Sequence, residues 1–234
     1  MRRFATFAII LGMFVFLIGA NRPVEANPSA QLLTGILQKM EVAHRNLKSL
    51  RAAIVQQKVN VQIGTKDTDY GTLLYKLAVK GKGRLRIDYT KPDARTVAVI
   101  GSDFVFYQPR INQVLKTTLA QASKGRTGGY SQLVGLDGSV KSLSGSYNID
   151  YVKDELVNGQ MATQLHLVPK SGGSFASMEI WVSNQTWLPV QQKIVERNGD
   201  YTIVKLTNME PNIAIADEDF KVKYPSSTQV IDKI

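Results

Sequence analysis

The side chains in this sequence that carry chemistry are few and poorly grouped. His44 and His166 stand far apart and read as packed or solvated residues rather than ligands. Asp67 and Asp69 form a D-x-D, and Asp217-Glu218-Asp219 an acidic triplet. Both read as exposed turns, and neither supplies the roughly six or more oxygens that a calcium ion takes. The stretch "GKGRLR", residues 81–86, is too short for a phosphate loop. There is no cysteine, hence no thiolate nucleophile, no disulfide and no thiolate-held metal. No G-x-S-x-G elbow, H-E-x-x-H pair or Walker loop occurs. The sequence therefore predicts a protein that is not an enzyme and that carries neither cofactor nor metal.

What remains is apolar patterning, and with it a choice between a dry face that meets a packed core and one that meets a guest. In "RLRIDYTKPDARTVAVIGSDFVFYQPRINQV", residues 84–114, Leu85, Ile87 and Tyr89 fall on one parity and Arg84, Arg86 and Asp88 on the other. Val97 and Val99, then Phe104 and Phe106, continue the dry parity. Such alternation predicts strands with one dry face and one wet face. Upstream, Val55, Val59, Val61 and Ile63 share a parity, as do Leu73, Tyr75, Leu77 and Val79.

These residues need a scaffold. The pattern predicts strands at 51–63, 71–80, 84–90, 95–100 and 103–108, with "GTKDTDYG" (64–71) and "KGKG" (80–83) as turns. Val114 and Leu115 start a sixth strand. Asn158-Gly159 is a hairpin signal between "YNIDYVKDEL" and "QMATQLHLVPK". Further strands follow in "FASMEIWVS", "WLPVQQKIVER", "DYTIVKLTNM", "IADEDFKVKYP" and "STQVIDKI". Ahead of the strands, Leu32, Leu33, Ile36, Leu37, Met40 and Leu47 recur at helical spacing, predicting an amphipathic helix over about 28–47. Residues 117–148 are rich in Gly and Ser and lack a period of two; Tyr130, Leu133, Val134 and Leu136 fit a lid. The expectation is a mainly β (α+β) domain over residues 27–234. It is a single curved antiparallel sheet of about 10–11 strands, an incomplete barrel covered by the helix and the insert.

The chain of 234 residues opens with Arg2 and Arg3, an apolar run from Phe4 to Ala20, then a polar stretch. That order reads as a secretory signal over residues 1–26, cleaved after Ala26. The alternative is an anchor in the inner membrane formed by residues 4–20. The formal charge is +10, and without residues 1–26 it is +8, from 26 basic and 18 acidic residues. For an exported chain this favours phospholipid headgroups as neighbours, not nucleic acid.

The same residues resemble the periplasmic lipoprotein carrier family, LolA and its relatives. The likeness rests on Arg86 and Tyr89, Pro92-Asp93, Gly101, Phe106-Tyr107-x-Pro109 and Gln113-Val114, and on "LPVQQKIVERNGDYTIVKLTNMEPNIAIADEDFKVKYP". It implies a soluble, monomeric periplasmic carrier that holds lipoprotein acyl chains, or other lipids, in an apolar cavity. Its partners would be an inner-membrane exporter and an outer-membrane acceptor. The implied cavity wall is Val59, Val61, Leu73, Tyr75, Leu77, Leu85, Ile87, Tyr89, Val97, Val99, Phe104 and Phe106. Lys80, Lys82 and Arg84 would stand in at the mouth for the family's arginine. Two other readings stay open: a lipid-sensing regulator of envelope stress with the same fold, and a membrane-anchored envelope module with a filled core.

Overall fold

The structure is a computed structural model and describes residues 28–77, 83–124, 140–172 and 175–232. Helix α1 spans Pro28–Asn46. Proline suits the first turn of a helix, where its missing N–H is not needed. Ile36 and Met40, four residues apart, are buried, with Leu33 and Leu37 packed beside them. Among the described residues no helix is long and apolar enough to cross a membrane.

Period-two patterning then takes over. Strands β1 (Ser49–Asn60), β2 (Thr65–Lys76), β3 (Arg84–Lys91), β4 (Arg95–Ile100), β5 (Asp103–Gln108) and β6 (Gln113–Thr118) form an antiparallel meander. Two short helices follow, α2 (Leu119–Lys124) and α3 (Val140–Ser146). Then come β7 (Tyr147–Val157), β8 (Gln160–Pro169), β9 (Phe175–Ser183), β10 (Pro189–Glu196), β11 (Tyr201–Pro211) and β12 (Gln229–Asp232). Asn158 and Gly159 both sit at positive φ, as a two-residue hairpin turn requires.

All twelve strands of the described residues join one sheet, in the order β12-β6-β5-β4-β3-β2-β1-β11-β10-β9-β8-β7. The fold class is as the patterning predicts, with one strand more and one exception to the antiparallel rule. Strand β12 runs parallel to β6. The reason is the route of residues 212–228. Asn212, at φ 61°, turns the chain out of β11, and its side-chain oxygen accepts from Lys48 N–H at 2.8 Å. The segment then crosses the outer face of the meander as a strap. Lys76 Nζ donates to the Ile215 carbonyl at 2.7 Å, and Arg86 donates to the carbonyls of Asp219 and Lys221, each at 2.9 Å. Ile215 and Phe220 are buried beneath it. A strand reached by crossing over a sheet arrives parallel rather than antiparallel. "IADEDFKVKYP" is thus a strap with a short 3₁₀ turn at Asp217–Phe220, not the strand its sequence suggested.

Beside a small cluster of Val157, Ala162, Trp181 and Val190, the apolar interior divides in two. One cluster lines the inner face of β1–β5 and β11, with Ala43, Leu47 and Ala122 against it. The other joins β8–β10 to α1 and α3 through Ile36, Met40, Val140 and Leu143.

Candidate functional site

Cross-strand rows build the inner wall. Ala52, Leu73, Ile87, Val97, Phe106 and Leu115 stand opposite one another along one row. Leu50, Tyr75, Leu85, Val99 and Phe104 form the next. Leu73, Tyr75, Ile87, Tyr89, Val97, Val99 and Phe104 are buried, and Leu85 and Phe106 are half-buried against them. Three wall residues named from the sequence lie elsewhere. Leu77 sits beyond the last β1–β2 pair and is 38% exposed. Val59 is half-buried on the outer parity of β1, and Val61 is exposed in the turn that follows.

That parity error has a physical cause. β1 carries apolar side chains on both faces, and the run Val55-Val59-Val61-Ile63 is the more conspicuous. Leu50, Ala52 and Ile54 face inward instead, opposite Tyr75, Leu73 and Gly71. The expected turn at 64–71 is also largely strand. Residues 61–64 make the turn, and β2 is paired from Thr65 onward.

Toward the end of the wall where β1 finishes, the lining becomes polar. Gln56 and Asp69 are paired in register and buried. Tyr89 Oη donates to Gln56 Oε1. Arg95 pairs with Asp69 at 2.5 Å, and its guanidinium lies 4.3 Å from the Tyr89 ring centroid. A buried ion pair carries a desolvation cost that its contacts must offset, and here the Tyr89 ring gives the cation a second contact. Asp69 is therefore an interior residue, not the exposed turn acid its D-x-D setting suggested. The sheet is pinched at the same level: a Cβ on Gly71 would lie 2.2 Å from the Asp88 carbonyl oxygen.

At the other end, where β1 begins, a groove of about 490 Å³ opens between the last turns of α1 and the β9–β10 turn. Gln38, Lys39, Val42, Ala43 and Asn46 line one side and Trp187 the other. Ala43 packs on the first apolar cluster and Trp187 on the second, so the groove lies on the seam between them. The Lys39 ammonium stands 4.3 Å from the Trp187 ring centroid. Trp187 is held at φ 56°, a left-handed conformation unusual for a bulky residue and a form of strain that clusters at functional sites. The arrangement offers an apolar slot, an aromatic wall and one cation.

Arg84 is not at this mouth. It lies on the outer parity of β3 and pairs with Asp217, which also accepts from Lys76 at 2.8 Å. The Lys76 hydrogen bond, then that of Arg84, holds the Asp217 carboxyl below the usual carboxylate range. The acidic triplet thus anchors the strap. Lys80, Lys82, Tyr130, Leu133, Val134 and Leu136 lie outside the described residues, as does the stretch 1–26 read from sequence as a signal.

A sequence model of the family described as outer membrane lipoprotein carrier protein LolA matches residues 45–223. The chain belongs to the LolA family. No curated protein matches it by sequence. Among solved structures, MucB superposes with a TM-score of 0.56 at 17% identity, over 87% of this chain and 66% of MucB, just under two thirds of that protein's length. An uncharacterized conserved protein from Thermus thermophilus gives 0.56 at 14% identity, over 87% of this chain and all of its own (100%). LprF from Mycobacterium bovis gives 0.50 at 14%, over 82% and 99%. At such identities the likeness is one of fold.

In this LolA-family chain the residues that sequence reading missed are Lys39, Val42 and Trp187. Val42 and Lys39 sit on the side of α1 away from its buried stripe, the side that periodicity assigns to solvent. Trp187 had one available signal: a large aromatic placed in a hairpin turn, where polar residues are the rule.

Proposed function

We propose that this LolA-family chain is an exported carrier that takes up acyl chains of lipoproteins or other lipids, without enzymatic chemistry. The acyl chain enters at the groove beside Trp187 and lies along the apolar rows of β1–β5, with its anionic or polar head near Lys39. The observation that carries the reading is the groove's place on the seam between two apolar clusters. A guest there touches Ala43, which packs on one cluster, and Trp187, which packs on the other, and goes deeper by displacing side chains that cover the buried rows. The polar cluster of Gln56, Asp69, Tyr89 and Arg95 sets the depth, because methylenes gain nothing beside it. The family's description, an outer membrane lipoprotein carrier, supports this cargo and a periplasmic setting. An inner-membrane exporter and an outer-membrane acceptor complete the route, and residues 1–26 act as a cleaved signal.

A carrier must also release. Each buried methylene contributes about 0.8 kcal/mol, so a perfectly complementary cavity holds several chains too tightly. A half-open groove limits the gain.

The deciding measurement is mass spectrometry of lipid extracted from the purified chain, with displacement of a fluorescent fatty acid by lysophospholipid. Bound or exchangeable lipid is the expected result. A folded chain with neither overturns the proposal and leaves a module with a filled core.

A further inference from the structure

Residues Val59, Val61 and Ile63 carry an apolar parity that the inner wall does not use. Ile63 is 73% exposed, more than any other large apolar side chain among the described residues, and Val61 is 49% exposed. They sit at the tip of the β1–β2 hairpin, and the tip is built rather than frayed. Asn60 Oδ1 accepts from the N–H groups of Gln62 and Ile63, each at 3.1 Å. Asp200, on the neighbouring β10–β11 turn, accepts from Val61 N–H at 2.9 Å and from Asn60 Nδ2 at 3.2 Å. Gly64 closes the turn at φ 68°. Two aliphatic side chains are thus held out into water by a braced loop.

Their surroundings are basic. Lys58 and Lys66 flank the tip on the two strands, both exposed. On the same rim, the turn after β3 starts at exposed Lys91, and the turn after β5 carries Arg110 and Ile111, the latter 51% exposed. Arg197 stands on the β10–β11 turn. The rim's acids are Asp67, which faces Lys58 across the hairpin, Asp93, 3.8 Å from Arg110, Glu196, exposed beside Arg197, and Asp200, whose oxygens brace the tip. Cations outnumber acids here, in a chain of net charge +10.

We propose that this rim docks on an anionic phospholipid bilayer, with Val61 and Ile63 seated at the headgroup–acyl boundary and Lys58, Lys66 and Lys91 over the headgroups. Exposed aliphatics ringed by lysine match the two attractions that hold proteins on such surfaces: burial of apolar area, and charge. The site is separate from the groove. β1 alone, at twelve residues, spans about 40 Å between the two ends.

The test is flotation of the purified chain with vesicles of phosphatidylcholine containing one quarter phosphatidylglycerol, and with phosphatidylcholine alone. Binding is expected to the anionic vesicles and to fall as salt rises. The pair V61D and I63D, both at exposed positions, is expected to lower partitioning about tenfold. K58Q with K66Q is expected to reduce it on anionic vesicles only. L156D, at the exposed tip of the opposite β7–β8 hairpin, is expected to leave it unchanged. Fatty-acid displacement by V61D/I63D should match wild type, so that failure here and failure of the carrier reading are told apart. Equal flotation of wild type and V61D/I63D overturns the proposal. So does sedimentation showing that wild type self-associates through this tip without binding vesicles.

Discussion

The Lys39 ammonium lies 4.3 Å from the centroid of Trp187, a contact that ties the polar side of α1 to the β9–β10 turn. The pair gives the groove a cation placed over an aromatic wall, the arrangement an amphiphile's head and first methylenes call for. Trp187→Ala should weaken binding of a fluorescent fatty acid about tenfold, compared at matched folded fraction. Lys39→Gln should weaken the fatty acid more than the corresponding alcohol, by calorimetric titration. Equal loss for acid and alcohol would remove Lys39 from the headgroup role.

The buried pair of Asp69 and Arg95 should respond asymmetrically to substitution. Arg95→Met leaves the Asp69 carboxylate buried without its cation, which costs about 3–5 kcal/mol. Asp69→Leu combined with Arg95→Met removes both charges and should recover most of that loss. Urea-unfolding midpoints of the two singles and the double give the answer. If each single substitution costs less than about 1 kcal/mol, the pair is worth no more than a surface bridge.

The strap should loosen in acid. The Asp217 carboxyl sits below its ordinary range because Lys76 and Arg84 favour the charged form. A group lowered in this way adds stability above its unfolded pKa and loses it as pH falls through the folded one. Protection factors for residues 215–221 should therefore hold at neutral pH and drop below about pH 4. Asp217→Asn should lower them at neutral pH and flatten the dependence. A strap equally protected in Asp217→Asn would show that Ile215 and Phe220 alone hold it.

Much of this molecule was legible before its structure, for reasons that are local. Alternation marked β3 and β5 because each has one drier face, and Asn158-Gly159 marked a hairpin because few other dipeptides fit two positive φ angles. β1 was read on the wrong parity because Val55 and Val59 compete with Ile54, and only pairing with Leu73 and Tyr75 decides between them. Ile215 and Phe220 anchor a strap at a spacing that belongs to neither helix nor strand. The direction of β12 depends on the path of that strap, which no local pattern encodes. The groove joins a helix's polar side to a distant turn, so its residues share no motif.

Among the described residues the sheet's two outermost strands, β7 and β12, have no strand beyond them, and the two larger apolar clusters meet across the β10–β11 ladder. That ladder has five register pairs, against nine between β1 and β11. A closed barrel has its girth set by strand number and stagger; an open leaf has no such constraint. Its bending is a softer coordinate than a barrel's, and short ladders such as this one and the equally short β4–β5 ladder resist it least. Such a body behaves as a clasp under light spring load. On the carrier reading proposed above, guests of different bulk would be met by a change of curvature shared across many residues, and letting go would be the recoil.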